Sequence, residues 1–153
     1  MRLYKNVLVV LLLIVSGSSV FGQEFLGKCV SDLKNSFVQG HDHVIEVSQN
    51  EEGFQVIQDK RDQRNMKHRL VYNFSINDDI VDKYSILYPV NSFMEEEVSM
   101  FLEMNEDKEA CSEDELEING QDYSSKYVWD TDVLLRIEET DNTLKLIFSK
   151  EMP

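Results

Sequence analysis

The stretch from Arg69 to Pro89, "RLVYNFSINDDIVDKYSILYP", constrains the fold more than any other part of the chain. Leu70, Tyr72, Phe74 and Ile76 fall on alternate positions, and after "NDD" the alternation resumes with Tyr84, Ile86 and Tyr88. A period of two sends successive side chains to opposite faces of an extended strand, so each run buries one face. Asn and Asp between the runs accept the left-handed backbone of a tight turn. Pro89 lacks the N–H that a further ladder bond would need. The pair predicts an antiparallel hairpin, with Asp78-Asp79 in its turn.

Two more strand pairs follow the same logic. "HVIEVSQ" and "FQVIQD" are joined through "NEEG", with Gly53 at the turn, and "YVWDTDVLLRIEE" and "TLKLIFSK" turn at Asp141-Asn142. Elsewhere the spacing is helical. In "EFLGKCVSDLKNSFVQG", Phe25, Cys29, Leu33 and Phe37 recur every fourth residue, and Gly40 supplies a stop. In "NSFMEEEVSMFLEM", Ser92 and Glu95 read as a capping-box pair, with Glu95 to Glu97 where the helix dipole favours negative charge. The expected fold is therefore α+β in the order α-ββ-ββ-α-ββ: an antiparallel sheet of about six strands in three hairpins, one face covered by an N-terminal and a second helix.

Ahead of this domain, Arg2 and Lys5 precede the apolar run Val7 to Val15, and "SGSSVFG" supplies small residues. An apolar run this short does not span a bilayer, which takes about 20 residues. The pattern is that of a cleaved export signal over residues 1 to 22, leaving one domain from 23 to 153 that is secreted or periplasmic and has no transmembrane segment. A lipid anchor is disfavoured, because Cys29 follows Lys28 well beyond the apolar run.

Loss of Arg2 and Lys5 takes the count of Lys and Arg from 15 to 13 against 29 Asp and Glu, a net charge of −16. Such a surplus repels phosphate backbones, which argues against a nucleic-acid partner. Cys29 and Cys111 are the two cysteines of the chain. In an oxidising compartment an even count predicts a disulfide, here between a core-facing Cys29 and the acidic stretch "EDKEACSEDELEING". Closing so long a loop would stabilise the fold by roughly 4 kcal/mol. The same acidic stretch fails as a helix–loop–helix calcium site, since placing Gly120 at the sixth position puts Lys126 where a bidentate carboxylate is required.

Other candidate chemistry is sparse. His41 and His43 would point the same way on a strand and suit a metal, but a third ligand is not evident. Lys60, Arg61, Arg64, Lys67 and Arg69 form a basic stretch that could dock an anionic glycan or envelope surface, or neutralise the acidic segment. Trp129 and the aromatic rows could line a groove, although aromatics at strand spacing more often form core. "NFS" at Asn73 would accept a glycan in a eukaryotic secretory pathway.

No nucleophile elbow, zinc-protease motif or phosphate loop is present, and acidic pairs such as Asp78-Asp79 or Asp130 with Asp132 arise by chance in so acidic a chain. The expectation is a secreted, non-enzymatic domain without a cofactor, binding a protein or envelope component through an open sheet face or charged loops. A small-ligand or metal-binding module is the alternative, and a carboxylate hydrolase a weaker one.

Overall fold

The computed structural model describes residues 25–38, 43–49, 53–130 and 132–150. The expected export signal (1 to 22), His41 and the expected helix stop Gly40 lie outside the described residues, as does the side chain of His43. Among the described residues no helix is long and apolar enough to cross a membrane.

The elements run α1 (Val30–Val38), β1 (His43–Gln49), β2 (Gly53–Arg61), β3 (Lys67–Asn77), β4 (Ile80–Pro89), α2 (Ser92–Met104), β5 (Glu109–Ala110), β6 (Glu115–Ile118), β7 (Gln121–Ser124), β8 (Lys126–Asp130), β9 (Val133–Glu139) and β10 (Thr143–Lys150). Eight strands form one sheet in the order β1-β2-β3-β4-β10-β9-β8-β5, with every pairing antiparallel, and β6-β7 is a separate hairpin. The fold is α+β, but among the described residues its sheets hold ten strands rather than about six. "YVWDTDVLLRIEE" is two strands, β8 and β9, and the acidic stretch contributes β5, β6 and β7.

One face of the large sheet carries the core. Register aligns Phe54, Phe74, Tyr84, Phe148 and Leu135 across five neighbouring strands. Their rings stack in series, with centroids 4.6 Å apart for Phe54–Phe74, 5.8 Å for Phe74–Tyr84 and 5.0 Å for Tyr84–Phe148. Directly opposed aromatic pairs are the strongest cross-strand contacts. Leu33 and Phe37 of α1, and Met94, Val98 and Leu102 of α2, close over this ladder. Tyr72, Phe74, Tyr84 and Tyr88 are therefore core residues.

Local chemistry explains the turns. Asp78 (φ 51°) and Asp79 (φ 63°) take the left-handed conformation between β3 and β4, as the sequence predicts. Asn119 (φ 54°) and Gly120 (φ 75°) do the same between β6 and β7. Gly53 is required for a different reason: a Cβ there would lie 1.9 Å from the Phe74 carbonyl oxygen. The cap of α2 is Asn91, whose side chain accepts from the Met94 N–H at 3.0 Å, so the expected Ser92 cap is displaced by one residue.

The N-terminal segment does not begin its helix at Phe25. Gly27 donates to Val81 O at 2.8 Å and Val81 donates to Lys28 O at 3.0 Å, so residues 27–30 run beside β4 before α1 starts. Cys29 bridges to Ile80 there and is exposed, which corrects the expectation that it faces the core.

Candidate functional site

Antiparallel alternation gives the sheet a second face, free of helices among the described residues. Register carries one row of this face from Ser48 of β1 through Gln55, Asn73, Ser85 and Ile147 to Arg136 and Lys126. The first five line a wide, shallow depression of about 510 Å³. Lys83 and Lys145 flank the row on opposite sides where β4 meets β10, and Gly53 and Ser75 also line the depression. Gln55 donates from Nε2 to Asn73 Oδ1 at 2.8 Å, which fixes both amides. Ser48, Ser75 and Ser85 add hydroxyls to the lining. Its lining contains no carboxylate, imidazole or thiol among the described residues. Lys145 lies opposite Glu138 in register without an ion pair.

The basic stretch folds mostly onto itself. The Lys60 ammonium pairs with the Glu97 carboxylate of α2, and Arg69 Nε lies 3.4 Å from Asp59 Oδ1. Arg61 donates to the side chain and the carbonyl of Asn65, both at 3.1 Å. Arg64 and Lys67 are exposed. At the centre is Asp62, which accepts from the Arg64 N–H at 2.8 Å, the Met66 N–H at 2.9 Å and His68 Nε2 at 2.9 Å. The His68 bond, then the Met66 N–H, hold the Asp62 carboxyl below its ordinary value. The His68 ring stacks on Phe93 of α2 at 4.8 Å, and Asn91 lies 3.4 Å from its Nδ1. These contacts tie the β2–β3 loop to the start of α2, so two of the five expected cations are committed to carboxylates.

A second, smaller cavity of about 80 Å³ lies under α2, lined by Gln58, Lys60, Leu70, Tyr72, Tyr88, Glu97 and Phe101. Burial pushes the Tyr88 hydroxyl far above the ordinary phenol range, with Tyr72 and Glu97 adding to the effect. Tyr88 therefore keeps its proton at any physiological pH.

Trp129 is core rather than groove: it is 5% exposed, stacks on Phe101 at 5.1 Å and meets Phe148 edge-on at 5.7 Å. Lys108 caps the ring at 5.3 Å. Cys29 and Cys111 are both free and exposed, so the expected bond is not made in this structure. Cys29 runs beside β4 in line with β10, whereas Cys111 donates to Lys126 O beyond β9 and β8. That is three strand spacings, about 14 Å across the sheet, where bridged Cα atoms lie within about 7 Å. Among the described residues no group of three His, Cys, Asp or Glu is placed to hold a metal.

Sequence reasoning missed Gln55, Asn73, Ser85, Lys83 and Lys145 as a set. The available signal was the polar phase of the same alternation that marked the core, but two lysines on different strands converge only through register. The chain matches no protein-family model, and no curated protein or solved structure is significantly similar to it.

Proposed function

We propose that the protein is an exported, non-enzymatic binding domain whose ligand rests on the helix-free face of the sheet. The carrying observation is the depression across β1, β2, β3, β4 and β10, which combines fixed amides, hydroxyls and two lysines on a rigid sheet. Binding sites are concave surfaces with a few placed polar groups, and strands hold such groups more accurately than loops do. The basic loop serves as an internal tie in this reading, because Asp62, Glu97 and Asp59 already engage its side chains.

Asn73→Trp places a bulky ring in the middle of the depression while keeping a residue type that strands favour. Wild-type protein immobilised and exposed to the host's envelope and medium fractions is expected to retain a ligand that the Asn73→Trp protein, with unchanged far-ultraviolet circular dichroism, does not. Equal retention by both proteins moves the site off this face, and retention by neither removes the reading.

A further inference from the structure

We propose that the ligand of the helix-free face is an acidic polysaccharide, gripped by Lys83 and Lys145, which flank the polar row on β4 and β10. This rests on the reading of that face as the binding surface and assigns its chemistry. Three features of the face point to this ligand class.

The first is charge. In a chain whose net charge is −14, this face carries Lys83 on β4, Lys145 on β10, Arg136 on β9 and Lys126 on β8, against Glu138 opposite Lys145 and an Asp59 already paired with Arg69. No ion pair is formed by Lys83, Lys145 or Arg136 among the described residues. A local concentration of positive charge on an acidic molecule selects an anionic ligand and draws it to this face rather than to the rest of the surface.

The second is the direction of the site. Register sets Lys145 opposite Leu87, four residues beyond Lys83 and one strand over, a separation on the order of 14 Å. The depression also runs across five strands from Ser48 to Ile147. The lysines are separated along the strands, across the line of that row, so an extended chain lying along β4 and β10 with anionic groups at intervals meets both, and a single small anion does not.

The third is the kind of polar group. Gln55, Asn73, Ser85 and Ser48 offer side-chain donors and acceptors in the same patch, which suits ligand hydroxyls that both give and accept hydrogen bonds. A peptide docking on a sheet engages the backbone ladder at an edge, and the face of a central sheet offers none. The rings of Phe54, Phe74 and Tyr84 belong to the core ladder on the opposite face. Recognition of a sugar chain here therefore relies on charge and hydrogen bonding rather than on stacking.

The test uses protein purified from its host, with tetragalacturonate as the acidic probe, cellotetraose as the neutral one and polyglutamate as the acidic peptide. Calorimetry is expected to show tetragalacturonate binding that weakens as salt rises, since the contacts are exposed and screened. Cellotetraose should bind about tenfold more weakly or not at all, and the Lys83→Gln/Lys145→Gln double variant should lose on the order of tenfold in affinity. The side-chain amide signals of Gln55 and Asn73 should shift on titration, whereas Lys60→Gln should leave affinity unchanged. Absence of tetragalacturonate binding overturns the proposal, as does equal affinity for cellotetraose or insensitivity to the double variant. Tighter binding of polyglutamate, lost in Asn73→Trp, overturns the polysaccharide assignment while leaving the face as the binding surface.

Discussion

Asp62 organises two N–H donors from its own loop and the His68 ring of β3, and the direction of its acidity makes that role measurable. Its carboxyl lies below the ordinary value of 3.8 because the His68 ring and two backbone N–H groups stabilise the anion. A carboxyl depressed in the folded state contributes stability that is complete above the ordinary value and is lost as pH falls through the lower folded value. Asp62→Asn keeps an acceptor and removes the charge. It should lower the melting temperature near neutral pH, with the difference from wild type shrinking once the pH drops below about 3.8, as a pH series of thermal melts would reveal. Gly53 gives a second test at this scale. Alanine there would drive its Cβ into the Phe74 carbonyl, so Gly53→Ala should cost about 2–4 kcal/mol in chemical denaturation. Neither role follows from composition. The sequence marks Gly53 as a turn glycine, whereas the close approach of β3 makes it indispensable.

Elements whose signal is local were the most legible. The period-two runs predict β1 through β4 and β10 closely, and Asp78-Asp79 and Asp141-Asn142 turn where the sequence places them. The start of α2 differs by one residue because Asn91 and Ser92 are both good caps, and only backbone geometry separates them. Asn91→Ala should therefore destabilise by about 1 kcal/mol while Ser92→Ala stays within a few tenths, measured by urea unfolding. The hairpin in the acidic stretch is hard to read because charges mask its alternation, although Asn119-Gly120 carries a strong turn signature. What holds that hairpin is Ile118, 1% exposed, together with Tyr123, whose hydroxyl lies 2.7 Å from Ser99 Oγ of α2. Ile118→Ala should cost about 2–4 kcal/mol, and hydrogen exchange should show β6 and β7 losing protection ahead of β1 through β4.

For the whole molecule, the sheet order separates what sequence neighbours suggest from what distant strands do. β4 pairs with β10, bringing Lys83 and Lys145 to one face, and the same order keeps Cys29 and Cys111 on different strand columns. Alkylation of the folded protein without reductant should therefore modify two thiols, read by intact mass. A bonded pair would leave both unmodified.

The sequence by itself determined which residues alternate, where the chain can turn and that two helices accompany antiparallel strands, because these depend on side-chain spacing and backbone preference within a few residues. Only the tertiary structure decided that the described residues form ten strands, that Trp129 is core and Cys29 is not, and that Lys83 and Lys145 flank a polar depression. Those outcomes depend on register between strands far apart in the chain, and a side chain's face and neighbours are fixed by that register rather than by its own identity.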